Sequence, residues 1–146
     1  MIIPDANILL YAYVPSFQQH QKAKTWLETT VSDGNDVIGL PWQVITAFIR
    51  IGTNPRIFQV PFKIEDAVSR LDDLLAHPLV QTVAPTDKHW QFFAKILREE
   101  QISGDLVMDA HLAALAIEQK ARIATTDRDF LRFSKIVKVF NPLERK

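Results

Sequence analysis

The chain has no cysteine, which excludes a disulfide framework and any thiolate metal site. It also lacks an apolar run near the roughly 20 residues that a membrane-spanning helix needs. The opening Met1-Ile2-Ile3-Pro4-Asp5 has no basic residue ahead of its apolar stretch and soon meets an acid, so it does not read as a signal peptide. These absences lead to the expectation of a cytoplasmic protein without membrane contact. Glycine is scarce and scattered, at Gly34, Gly39, Gly52 and Gly104 only, which excludes a Gly-rich phosphate loop. Net charge is lacking as well: Lys plus Arg and Asp plus Glu stand at 17 each. A chain that held nucleic acid by its overall field would be basic. Any nucleic acid must therefore be met by a local basic patch or through bound metal. A neutral surface also favours self-association.

What is present suffices for one domain, expected to span residues 1–146, with 47% hydrophobic residues to fill a core. Ile2-Ile3, ending at Asp5, reads as a short buried strand, and Ala6 to Tyr13 as a helix. Gln18 to Val31 is a second helix, with Ala23, Trp26, Leu27 and Thr30 on one face. Ser32-Asp33-Gly34-Asn35 is a turn by composition. Val37 to Leu40 is a strand, and Pro41 suits the first turn of a helix that ends near Gly52, before Thr53-Asn54-Pro55. Ile64, Ala67, Val68, Leu71, Leu74 and Leu75 form an amphipathic stripe. Leu79 to Ala84 is a strand, and Asp87 to Glu100 a helix with Trp90, Phe93, Ala94 and Leu97 on one face. Asp105 to Gln119 is a helix so apolar in its middle that it is expected to be buried on most sides. Arg122 to Thr125 is a strand, Asp129 to Phe133 a helical turn, and Val137 to Phe140 a last strand. Short apolar strands alternating with helices predict a three-layer α/β/α domain around a mostly parallel sheet.

In such sheets ligands bind beyond the carboxyl ends of the strands. Asp5 ends the first strand, Asp127 and Asp129 follow the strand Arg122 to Thr125, and Asp109 lies near the start of the buried helix. Each acid has a plainer reading. Asp5 and Asp129 could cap helices, Asp109 could answer a helix dipole, and Asp127 could be a turn residue. Taken together, carboxylates that converge repel one another unless a cation lies between them, and hard oxygen ligands favour Mg²⁺ or Mn²⁺. Such a site activates water and neutralises charge, as phosphodiester hydrolysis requires. The four histidines lack partners at ligand spacing and are read as solvated or core-edge residues.

The same residues carry a resemblance. Pro4-Asp5-Ala6-Asn7-Ile8-Leu9-Leu10-Tyr11-Ala12 resembles the opening of PIN domains of the VapC toxin family. Val107-Met108-Asp109-Ala110-His111-Leu112-Ala113-Ala114-Leu115 is similar to that family's late helix, and Thr125-Thr126-Asp127-Arg128-Asp129-Phe130 to its third signature. Leu40-Pro41-Trp42 and Thr53-Asn54-Pro55-Arg56 resemble one subgroup. The matches run in the family's order from residue 1 to about 142. The resemblance implies a PIN fold, Mg²⁺- or Mn²⁺-dependent cleavage of single-stranded or looped RNA, and inhibition by a cognate antitoxin. It also implies a homodimer or a toxin–antitoxin hetero-oligomer. It makes Asp5, Asp109 and Asp127 the catalytic and metal-site acids, with Asn7 and Thr126 as supporting hydrogen-bonders. One departure stands out: the glutamate that the family carries on the helix after strand two falls at Ala47, so that either the site has fewer protein ligands with water filling in or another acid such as Asp105 or Asp129 takes part.

Arg50, Arg56 and Arg128 are candidates to hold RNA phosphates bidentately. Trp42 and Phe58 could stack on bases but are read first as core residues. Two rivals remain. A haloacid-dehalogenase-like phosphatase also places an Asp at the end of strand one, but wants a second Asp where this chain has Asn7. A PIN-like domain that binds RNA or a protein without cutting is the other, and Ala47 is the observation in its favour.

Overall fold

A computed structural model describes residues 1–144. The elements run β1 (Ile2–Pro4), α1 (Ala6–Tyr13), α2 (His20–Asp33), β2 (Ile38–Pro41), α3 (Trp42–Gly52), α4 (Ile64–Leu75), β3 (Val80–Val83), α5 (His89–Glu99), α6 (Leu106–Gln119), β4 (Arg122–Ala124), a 3₁₀ helix (Arg128–Phe133) and β5 (Val139–Phe140). The strands form one sheet in the order β3-β2-β1-β4-β5, and every pairing is parallel. A parallel sheet must be covered on both faces, so its central strands are apolar throughout. Ile2, Ile3 and Pro4 of β1 are accordingly all buried, as is every residue of β2. Helix α1 packs on α2 and α3, α3 on α4, and α5 on α6, completing the expected three-layer arrangement. No helix among the described residues is long and apolar enough to cross a membrane.

Several local expectations shift. Pro41 closes β2 in extended geometry (φ −65°, ψ 149°) and caps α3 instead of entering its first turn. Its fixed φ suits either state, and pairing with Val83 decides for the strand. Helix α2 continues through Ser32 and Asp33, read as turn, until Gly34 at φ +73° stops it in left-handed geometry. The amphipathic faces of α4 and α5 are only partly used. Ile64 and Val68 are exposed, and Trp90 is 68% exposed, because α4 buries Ala67, Leu71 and Leu74 alone and α5 buries Ala94 and Ile96.

The histidines have partners that sequence spacing did not reveal. His89 Nδ1 hydrogen-bonds Glu118 Oε2, and its Nε2 meets His111 Nδ1 at 2.7 Å. The hydroxyl and the backbone N–H of Thr86 both donate to Glu118 Oε1. This chain of bonds stitches α6 to the start of α5 at the edge of the core. The partners are 22 and 29 residues apart, beyond the reach of any local pattern.

Gly39 lies on β2, between β1 and β3. A Cβ there would come within 2.6 Å of Met1 Sδ and 2.8 Å of Val83 Cγ2. The methionine can swing away, whereas the β-branched Val83 is stiff at χ1. Gly39→Val is expected to destabilise the fold by about 1–3 kcal/mol through overpacking. Urea denaturation checks this, with the midpoint falling and the slope unchanged.

Candidate metal centre

Register brings the acids together. Pro4 pairs with Ala124, so the first residues past β1 and β4, Asp5 and Thr125, leave the sheet side by side. The Asp5 N–H donates to the Ala124 carbonyl at 2.9 Å. Asp5 caps α1 as well as facing the site: its Oδ1 accepts from the Ala6 N–H at 2.7 Å and its Oδ2 from the Thr125 hydroxyl at 3.0 Å. Thr125 is only 3% exposed. Its oxygen also accepts from the Asp127 N–H at 3.0 Å, and Asp127 Oδ1 accepts from the Asp129 N–H at 2.9 Å. Asp127, not Asp129, is therefore the cap of the 3₁₀ helix. Asp109 enters from the first turn of α6.

Carboxylate oxygens of Asp109, Asp127 and Asp129 all lie within 4.8 Å of one another. Asp5 stands outside this trio yet is electrostatically part of it. Burial and then the charges of Asp127, Asp5 and Asp129 push the Asp109 pKa up to about 6, against a smaller opposing pull from Arg132. Burial raises the Asp5 pKa as well, while the hydrogen bonds from Thr125 and Ala6 lower it and Asp127 adds repulsion. Arg132 offsets only part of this repulsion.

The supporting residues fall differently from expectation. The hydroxyl that orients Asp5 belongs to Thr125, and Thr126 instead lines a groove beside the acids. Asn7 is half-buried on α1, with no side-chain hydrogen bond to a described residue. Asp105 is exposed at the N-cap of α6 without capping it and does not join the trio. Arg50 sits in the last turn of α3, roughly 12 Å along the axis from Trp42 at about 1.5 Å per residue. Arg56 is exposed in the loop beyond it. Arg128 is beside Asp127, and the structure adds Arg132, whose charge reaches Asp109.

Sequence reading missed Gln43. Its Nε2 donates to the Met108 carbonyl at 3.3 Å, and its Oε1 is buried without a hydrogen-bond partner among the described residues. Ala47 is one turn further along α3 and shares that face. Trp42, expected in the core, is 56% exposed at the start of α3. Phe58 is half-buried and packs edge-on against Phe17 at 5.6 Å.

Residues 2–136 match the PIN domain family. The chain belongs to it. This PIN domain is 39% identical over 136 residues to Ribonuclease VapC37 of Mycobacterium tuberculosis, covering 93% of this chain and 94% of that protein. It is 35% identical over 136 residues to VapC ribonuclease Mb2897 of Mycobacterium bovis, covering 93% and 92%. Ribonuclease VapC31 of Mycobacterium tuberculosis is 32% identical over 98% of this chain and 100% of its own. Among solved structures, VapBC2 from Rickettsia felis, bound to a promoter DNA fragment, superposes with a TM-score of 0.66 at 19% identity, covering 97% of this chain and 98% of that one. FitAB bound to an IR36 DNA fragment gives 0.68 at 19% identity, over 100% and 98%. At that identity the likeness is one of fold.

The charge cluster sets a stability test. With its pKa raised, Asp109 keeps its proton in the folded state to higher pH than in the unfolded chain. Its contribution to stability therefore falls as pH rises from about 4 to about 6 and stays low above. At neutral pH the ionised group costs the metal-free PIN domain about 1 kcal/mol once solvent screening is allowed for. In EDTA, Asp109→Asn is expected to raise Tm by about 3 °C near pH 7.5 and to lose that gain near pH 4. Calorimetric melting at the two pH values reads it.

Proposed function

We propose that this PIN domain is a Mg²⁺- or Mn²⁺-dependent endoribonuclease and the toxin of a toxin–antitoxin pair. The observation that carries the reading is the convergence of Asp109, Asp127 and Asp129 within 4.8 Å, with Asp5 adding to the repulsion on Asp109. The donor set fits a hard divalent cation. It is all oxygen, carries excess negative charge, and has the orphaned Gln43 amide oxygen close to the start of α6. Asp109, Asp127 and Asp129 would hold the ion directly, and Asp5 would do so directly or through water. Such an ion would supply Lewis acidity at the scissile phosphate and ease the ionisation of the attacking water.

The chain's own residues do the rest. Thr125 ties Oδ2 of Asp5 and the backbone of Asp127 into one frame, so both carboxylates keep their aim. The 3₁₀ turn fixes Asp129 through its N–H on Asp127 Oδ1. The repulsion and burial that raise the Asp109 pKa to about 6 in the metal-free chain would be relieved by a cation among the acids.

The antitoxin partner is supported by relatives named VapC ribonucleases and by a fold shared with VapBC and FitAB complexes. A basic side chain of that partner, inserted among the acids, would quench the site by taking the cation's place. The chain alone, expressed in a bacterial host, is expected to arrest growth and co-expressed antitoxin to restore it. The purified chain is expected to cut single-stranded RNA with added Mg²⁺ or Mn²⁺ and to stop in EDTA. Asp5→Asn and Asp109→Asn are each expected to lower cleavage at least a hundredfold with circular dichroism unchanged. Retained cleavage in both would refute the metal-site assignment, and no cleavage by the parent chain would leave the non-cutting RNA- or protein-binding reading.

Ala47 makes the cation site weak by removing one anionic ligand. Ala47→Glu is expected to tighten Mn²⁺ binding about tenfold by titration calorimetry. Unchanged affinity would mean that the side chain at 47 does not reach the ion.

A further inference from the structure

Residues 120–138 carry six Lys and Arg against two Asp, in a chain whose total charge is zero. The fold places three of these cations, Arg122, Arg128 and Lys138, with Asp127 and Glu144 along one groove of about 770 Å³, within the range of pockets that hold small ligands. One end of the groove opens at Thr126 and Asp127, and the other reaches Trp26 and Arg122. Arg122 is already engaged, by an ion pair with Asp36 at 3.1 Å and by lying 5.1 Å over the Phe140 ring. Arg128 and Lys138 also line the groove, are exposed, and form no ion pair with a described residue. Leu131 and Phe140 supply apolar surface to the same lining.

We infer that this groove is an RNA subsite, in which Arg128 and Lys138 hold backbone phosphates of the strand leading away from the acidic centre. The inference rests on the ribonuclease reading above and adds where the substrate lies. Unpaired cations in a lining with apolar surface suit a single strand, whose phosphates and base faces are both accessible. The groove runs alongside β5, the edge strand of the sheet, so an extended peptide could in principle add there. Two features disfavour it. β5 has only Val139 and Phe140, too short a ladder to bind by main-chain bonds, and the exposed Arg128 and Lys138 offer charge that a peptide backbone does not use, although Asp127 and Glu144 also line the groove.

The test uses the full chain carrying Asp109→Asn, so that RNA is bound but not cut. The probe is a fluorescein-labelled single-stranded RNA of about a dozen nucleotides of mixed sequence, followed by anisotropy over a salt series. Adding Arg128→Ala and Lys138→Ala is expected to weaken binding about tenfold. It is also expected to flatten the slope of log affinity against log salt by about 1.4, that is about 0.7 for each phosphate no longer neutralised. Lys63→Ala with Lys95→Ala removes the same charge from exposed positions outside the groove and is expected to leave the slope unchanged. Equal losses from the two pairs would overturn the subsite in favour of bulk charge. RNA binding unaffected by the groove pair, with antitoxin binding lost, would overturn it in favour of a peptide. No RNA binding by the Asp109→Asn chain would overturn the ribonuclease reading together with the subsite, whereas binding indifferent to Arg128 and Lys138 overturns the subsite alone.

Discussion

The parallel register of β1 on β4 is the constraint on which the site depends. With Pro4 opposite Ala124, Asp5 and Thr125 emerge together at the carboxyl edge of the sheet, and the Thr125 hydroxyl can reach Asp5 Oδ2. The same hydroxyl receives the Asp127 N–H, so one buried oxygen sets the positions of two acids. A slip of one residue would send Thr125 to the opposite face, since side chains alternate along a strand. Nothing else in the site would then line up. The apolar core that buries β1 and β4 on both faces enforces that register, and in this sense the hydrophobic core positions the chemistry.

What the core enforces, electrostatics resists. Asp5, Asp109, Asp127 and Asp129 meet with little neutralising charge nearby, and the rise of the Asp109 pKa to about 6 records the cost. A fold selected for stability alone would not gather these groups. Arg132 offsets part of the repulsion from the 3₁₀ helix, and that helix also carries Arg128. The segment that presents the acids thus brings its own cations. A net charge of zero thus hides local polarity: the acidic centre lies beside a groove that Arg128 and Lys138 help to line.

Most of the architecture was legible because it rests on patterns that short-range physics controls. Apolar runs bounded by polar turns marked all five strands, and helical periodicity marked α4 and α6 closely. The acids were legible because strand ends and a helix start are identifiable in sequence. Other features depend on how elements meet, and these were not. Choosing between Thr125 and Thr126 as the orienting hydroxyl requires knowing which residue past β4 turns inward. The exposure of Trp42 and Trp90 follows from α3 and α5 presenting only part of their apolar surface to neighbours. Asp129 reads in sequence as the natural cap of its helix, but the turn begins one residue earlier, and Asp127 takes that role. The link from His111 through His89 to Glu118 joins α5 to α6 across distances that periodicity cannot encode.

Under the proposed metal site, helix α3 is where one position would change the strength of the site without changing its shape. Gln43 and Ala47 share one face of the helix, and Gln43 already bonds the carbonyl of Met108, next to Asp109. A carboxylate at 47 would add another negative charge to a cluster that is under repulsion without an ion and would hold the ion more firmly with one. Alanine takes the other side of that exchange. It spares the fold further repulsion and leaves more of a cation's coordination shell to water. The unpaired Gln43 oxygen is a neutral donor of electron density in the same neighbourhood, suited to bond such a water without adding charge. On this reading α3, away from the strand ends that gather the acids, is where a carboxylate would shift the balance between metal-free stability and affinity for a cation.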